Sequence, residues 1–146
     1  MATRGSIAKL NTDGSIAAIY VHFDSYLSGV GHTLVNHYTQ EHKILALLQL
    51  GNLRSLRSEI GMRKMKDRDS RHQTWCDAYG RDYGETDHEA SVYQTVQQWL
   101  DELGQEYNYL WDGSEWLLCK PHLEGLDDYD LRSVVQCLLE SESRWN

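Results

Sequence analysis

The apolar positions of this chain change their spacing several times, and each change predicts an element. Residues 5–10 alternate loosely and run into Asn11, Thr12, Asp13 and Gly14, whose Asp-Gly pair signals a tight hairpin turn. Residues 15–23 read as the returning strand. Ile16, Ala18, Tyr20 and His22 share one face, and Ala17, Ile19, Val21 and Phe23 share the other. Both faces are largely apolar, which predicts a central or well-covered strand. After a loop over 24–31, Val30, Leu34, Val35 and Tyr38 fit helical spacing, with Ser28 placed to cap them. Thr39 can cap a second helix with Ile44, Leu45, Leu47 and Leu48 as its stripe, and Gly51 ends it.

Leu53, Leu56 and Ile60 predict a short turn or helix beside it. Residues 61–71 are charged, with only Met62 and Met65 as apolar anchors, so 61–73 is a candidate flexible basic insertion. Residues 75–84 predict one more strand and a turn. Thr86 or Asp87 can start a helix running to Leu103, its stripe formed by Ala90, Tyr93, Val96, Trp99 and Leu100 and its end by Gly104. Residues 106–120 form the clearest hairpin, around Asp112-Gly113. Pro121 ends it, and Asp127 or Asp128 starts a last helix with Leu131, Val134, Val135, Leu138 and Leu139 inward.

The order β-β-α-α-α-β-β-α rules out a doubly wound parallel sheet. It predicts the α+β class: an antiparallel sheet built from two hairpins, with three to four helices packed mainly on one face. The 146 residues suit a single domain over 1–146. No apolar run is long enough to cross a bilayer, and residues 1–10 lack the layout of a secretory leader. Cys76, Cys119 and Cys137 are far apart and form no CxxC pair. They read as reduced, partly buried thiols of a cytosolic protein.

Charge divides the picture further. Net charge is −8, but residues 54–71 hold seven of the fourteen basic side chains. From His72 onward only Arg81, Lys120, Arg132 and Arg144 face sixteen carboxylates. That acidic half disfavours direct nucleic-acid binding, because phosphates need neutralising cations. It suits a basic partner surface or simply keeps the protein soluble, the solvated face being the default reading. The basic stretch could dock on the acidic half of another copy in a homo-oligomer. Five Trp and nine Tyr stand against one Phe, and residues with an apolar body and a polar tip suit half-buried or binding surfaces.

Several positions are candidates for chemistry. His22 and Asp24 lie where a strand meets a glycine-bearing loop, so His22 could act as a general base oriented by Asp24. No nucleophile motif accompanies them, and a hydrogen-bonded structural pair is the stronger reading. Gly29, Val30 and Gly31 before a helix resemble a phosphate-cradling turn but lack a P-loop's lysine and length. With Tyr26 and Arg81 they make a candidate site for a nucleotide-like ligand. His32, His37 and His42 are five apart, which turns neighbours roughly 140° around a helix and prevents them from sharing a metal. No metal or cofactor is expected. Tyr107, Tyr109, Trp111 and Trp116 are candidate protein-binding anchors, with hairpin packing as the competing reading.

One resemblance adds context. Ile19, Tyr20, Val21, His22, Phe23, Asp24, Ser25 and Tyr26, then Gly29-Val30-Gly31 and His37-Tyr38, resemble the pattern I-Y-x-H-x-D-G-Y…G-V-G…H-Y of small accessory proteins of tailed bacteriophages and prophages. The likeness continues at 47–56, 78–85 and 109–116. It departs at Ser25, where the pattern has glycine, and at Phe23, where it often has tryptophan. The group brings no known activity with it. The resemblance implies a non-enzymatic protein that inhibits a host defence or regulatory factor by protein–protein contact. A sponge for a nucleotide-like signal, and a small hydrolase using His22 and Asp24, stand as alternatives.

Overall fold

The computed structural model of the chain describes residues 2–62, 74–120 and 130–145. It is a mixed α+β structure with one open sheet of eight strands and five α-helices. In chain order these are β1 (Gly5–Leu10), β2 (Ile16–Val21), a π-helical turn (Leu27–Gly31), α1 (His32–His37), α2 (Glu41–Leu50), β3 (Leu53–Ser55), β4 (Asp77–Ala78), α3 (Tyr79–Tyr83), β5 (Ser91–Tyr93), α4 (Val96–Glu102), β6 (Tyr107–Trp111), β7 (Trp116–Lys120), β8 (Asp130–Ser133) and α5 (Val134–Trp145).

The sheet runs β4-β3-β2-β1-β6-β7-β8, with β5 also pairing β2. It is mixed rather than antiparallel, which corrects the expectation. β1 lies parallel to β6, with Ile7 opposite Tyr109, and β2 meets β3 in parallel at Val21 and Leu53. These two contacts join segments far apart in sequence, so no turn signal announces them. Around them, β1 and β2 run antiparallel through the turn at Gly14, and β6, β7 and β8 run antiparallel in succession.

Alternation in the strands sorts side chains into two clusters. Ile7, Ile19, Val21, Tyr109, Trp111, Trp116 and Leu118 pack on one face with Leu34 of α1, Ile44 and Leu47 of α2, and Val134 and Cys137 of α5. Ala8, Ile16, Ala18, Leu110 and Cys119 pack on the other with Tyr93 of β5 and Trp99 and Leu100 of α4. The sheet is therefore covered from both sides, and α4 is the exception to helices lying on one face. Central β1 and β2 accordingly carry apolar residues in both directions, as expected for strands buried on both faces.

Several local expectations change. The segment read as a helix from 86 begins instead with β5, which fills the backbone edge of β2 from Ile16 to Ala18. An edge with unpaired amides offers more than an isolated helical turn can. The helix then starts at Val96, where the Thr95 hydroxyl accepts from the Gln98 amide at 3.0 Å. Leu53 lies in a strand, and residues 79–83 are helical rather than a turn after a long strand. α5 begins at Val134 after β8, not at Asp127 or Asp128, which lie outside the described residues. Most of the candidate basic insertion at 61–73 also lies outside them, from 63 onward.

Gly51 closes α2 at φ +78, and a Cβ there would stand 2.1 Å from the His88 carbonyl oxygen. Only glycine permits both the left-handed backbone and that close approach. The approach lets the Asn52 amide donate to the His88 carbonyl at 2.7 Å, tying the end of α2 to the segment before β5. No helix among the described residues is long and apolar enough to cross a membrane.

Candidate functional site

The loop after β2 carries most of the sequence-derived candidates, and the structure separates them. His22 Nδ1 lies 2.8 Å from the Tyr20 hydroxyl, and its ring meets Phe23 edge-on at 4.5 Å between centroids. Asp24 takes a left-handed backbone, φ +59, which Asp tolerates better than most residues. Its carboxylate accepts from the Tyr26 hydroxyl at 3.4 Å. His22 and Asp24 share no hydrogen bond, so the general-base pair is not assembled. The i, i+2 rule put both side chains on one strand face, but β2 ends at Val21 and the alternation ends with it.

The glycines serve packing. The amide of Gly29 donates to the Tyr26 carbonyl, that of Val30 to the Asp24 carbonyl at 2.9 Å, and that of Gly31 to the Tyr26 carbonyl. These donors are spent inside the π-helical turn, leaving no row of amides for a phosphate. A Cβ at Gly29 would fall 2.2 Å from the Asp24 carbonyl oxygen, and one at Gly31 would press on Tyr109 and Val134 at 3.3 Å. Both positions are small because the chain doubles back onto itself.

Arg81 is likewise internal. Its guanidinium donates to the carbonyls of Ile60, Gly61 and Cys76 and twice to the Asp82 carboxylate, over 2.8–3.1 Å. These contacts use all five N–H groups of an arginine. Arg81 therefore clamps the 60–61 segment to α3, and its guanidinium is engaged within the protein rather than turned to the 24–31 loop. Tyr109, Trp111 and Trp116 follow the competing reading of hairpin packing. They are 0%, 5% and 3% exposed, inside the larger core cluster. Tyr109 donates to the Ser25 carbonyl at 2.6 Å and Trp116 Nε1 to the Tyr38 carbonyl at 2.8 Å. Burial pushes the Tyr109 phenol well up, so it remains a hydroxyl donor. Tyr107 is half-buried and packs against the same cluster.

Two features emerge in their place. The first is a groove of about 280 Å³ whose lining gathers Asp24, Tyr26, Gly29 and Thr33 together with Arg57, Ser58 and Thr74. Arg57 was not legible as a partner of Asp24, because thirty-odd residues and α1, α2 and β3 lie between them.

The second is a surface of touching rings and cations beyond the end of β2. Tyr20 contacts His22, and His22 contacts Phe23. The Arg54 guanidinium lies 5.8 Å from the Phe23 ring centre and 5.1 Å from that of Tyr83. Arg54 also donates to the Tyr83 hydroxyl at 2.9 Å, and that hydroxyl donates to Asp77 at 3.0 Å. Close by, Tyr79 stacks on His88 at 4.7 Å, and His88 is held between Asn52 and Glu85. Burial raises the phenols of Tyr20 and Tyr79, keeping them neutral. All these side chains except exposed Glu85 are half-buried, so each ring has one packed face and some area left for solvent.

Among the described residues no cluster of three or more His, Cys, Asp or Glu side chains is arranged to hold a metal. Comparison with known proteins returns no matching family model, no matching curated protein and no matching solved structure.

Proposed function

We propose that the protein is a phage-type, non-enzymatic binding protein that inhibits a host defence or regulatory factor by protein–protein contact in the bacterial cytoplasm. The observation that carries this reading is the half-exposed chain of Tyr20, His22, Phe23, Arg54, Tyr83 and Tyr79. Tyr and Arg are the types that dominate binding hot spots, because they bury much area and lose little rotamer freedom. Here the rotamers are already restrained. Arg54 is fixed by Tyr83, Tyr83 by Asp77, and Tyr79 by its stack on His88. Docking onto such a surface costs little additional ordering entropy. A guanidinium lying over aromatic rings can pair with a carboxylate of the partner while its stacking is retained.

The surface is built from β2, β3, β4 and α3 and not from the β6–β7 strands where aromatic residues alternate most clearly. Its partner is expected to present apolar side chains ringed by acidic ones. The test is capture of a stoichiometric protein from bacterial lysate by tagged protein, repeated with Arg54→Ala and with Phe23→Ala. The reading expects capture by the parent and loss of at least about tenfold in affinity for both variants, with folding retained. Equal capture by all three would overturn it.

A further inference from the structure

The groove lined by the 24–33 and 56–58 segments shares no lining residue with the docking surface and supports a site of its own. We propose that it binds a small zwitterion, with the ligand's ammonium group on Asp24 and its carboxylate on Arg57. The case starts from charge. Asp24 and Arg57 are exposed and line the same groove of about 280 Å³, yet they form no ion pair with each other. Among the described residues the Asp24 carboxylate has one side-chain partner, the neutral Tyr26 hydroxyl at 3.4 Å. Among the described residues the Arg57 hydrogen bonds run through its backbone: its amide donates to the Cys76 sulfur, and its carbonyl accepts from the Tyr38 hydroxyl at 2.7 Å. The backbone at 57 is thus anchored in the core, while among the described residues the guanidinium has no hydrogen-bond or ion-pair partner. One carboxylate and one guanidinium that line one groove without pairing with each other match a ligand carrying both charges.

The loop is shaped to hold this geometry. Asp24 sits in a left-handed conformation that directs the chain into the π-helical turn, and its carbonyl accepts from the Val30 amide at 2.9 Å. Gly29 allows the Tyr26 ring and the Asp24 carbonyl to close on it, at 3.0 Å and 2.2 Å from where a Cβ would lie. The Tyr109 hydroxyl fixes the loop to β6 through the Ser25 carbonyl at 2.6 Å. Tyr26, 40% exposed, supplies a ring edge and a hydroxyl. Thr33 spends its proton on the Gly29 carbonyl, which leaves its lone pairs able to accept from an ammonium group.

Size and polarity limit the occupant. Drug-sized ligands need about 300–1,000 Å³ of largely apolar pocket, and this groove lies at the lower bound with mainly polar walls. A dinucleotide is too large, and a simple anion would leave Asp24 unmatched and repelling. Charge-assisted bonds at both ends in an open groove place affinity in roughly the millimolar to micromolar range.

Calorimetric titration of the full chain tests the proposal. The probes are glycine, β-alanine, γ-aminobutyrate, ε-aminocaproate and the standard free amino acids, because the series varies the separation between the two charges. N-acetyl and amide derivatives of each binder remove one charge at a time. The expected result is saturable binding of at least one zwitterion, weakened about tenfold or more by either derivative and by either Asp24→Asn or Arg57→Gln. Asn accepts the left-handed backbone, so Asp24→Asn removes charge without disturbing the loop. Arg54→Ala is expected to leave the titration unchanged, which separates this site from the docking surface. The proposal is overturned if no zwitterion binds, if a singly charged derivative binds equally well, if both charge variants bind like the parent, or if Arg54→Ala abolishes binding.

Discussion

Replacing Trp116 by Phe asks whether the aromatic β6–β7 strands are core or contact surface. Trp116 is 3% exposed, its ring lies 5.4 Å from that of Trp111, and its indole N–H donates to the Tyr38 carbonyl at 2.8 Å. That carbonyl sits where α1 gives way to α2, so the bond ties the helical layer to the sheet. Phe fills most of the space but has no donor. The buried carbonyl left behind costs about 1–3 kcal/mol. The missing part of the bicycle adds roughly 1 kcal/mol, since a full Trp→Ala truncation costs about 3–5 kcal/mol. The sum, about 2–4 kcal/mol, is a large fraction of the ~5–15 kcal/mol that holds a typical domain folded. In urea, with a slope of about 2 kcal/mol per molar, the midpoint is expected to fall by about 1–2 M with the slope unchanged. Partner capture at a temperature where the variant remains folded is expected to be unaffected. A midpoint within about 0.25 M of the parent, together with lost capture, would refute the burial argument and restore Trp116 as an anchor.

Three further outcomes follow from the same geometry. Gly29→Ala drives a methyl group against the Asp24 carbonyl and is expected to cost about 1–3 kcal/mol by thermal melt and to abolish zwitterion binding; a neutral melt would contradict the tight turn. At Asp112, slight burial pushes the carboxyl up, but the amides of Glu115 and Ser114 and the Ser114 hydroxyl outweigh it and hold the pKa below the usual value. A depressed folded pKa contributes stability above the unfolded value of about 3.9 and loses it as pH falls through the folded value. The stability gap between parent and Asp112→Ala is therefore expected to narrow below about pH 4 in pH-dependent melts, and a gap independent of pH would count against it. The Cys119 thiol is pushed up to about 12 by burial, and Cys76 is also raised by burial. Ellman's reagent at mildly alkaline pH is expected to label neither until urea is added, and fast labelling of either in the native protein would show that the core opens there.

Much of the local structure was legible because its causes lie within a few residues. Asp13-Gly14 and Asp112-Gly113 mark turns at which the glycines take φ +90 and +107. Ile44, Leu47 and Leu48 lie on the buried stripe of α2 at helical spacing. Alternation in β2 correctly divided Ile16 and Ala18 from Ile19 and Val21. The candidate site was legible only in part. Asp24, Tyr26 and Gly29 do line one groove, but His22 turns to Tyr20 and Arg81 is consumed internally. The proposed docking residues Arg54, Tyr79 and Tyr83 carry no binding motif of their own, and what distinguishes them is which neighbours the fold brings to them.

The sequence by itself determined the mixed class, the hairpin turns, the faces of the residues in β2 and β6–β7 and the absence of a long apolar span. Those properties depend on backbone preferences and side-chain periods of two and 3.6, which act over short stretches. Tertiary structure alone decided the parallel contacts of β1 with β6 and β2 with β3, the conversion of 91–93 into a strand, and the gathering of Asp24 and Arg57 into the lining of one groove. It also decided which aromatic residues are buried. Tyr109 and Tyr20 both sit in alternating strands, but the helices on one face close completely over Tyr109, whereas α4 on the other covers Ile16 and Ala18 and leaves Tyr20 partly open. How far a covering helix reaches along a strand depends on where distant segments pack, and no local pattern of hydrophobicity encodes that distance.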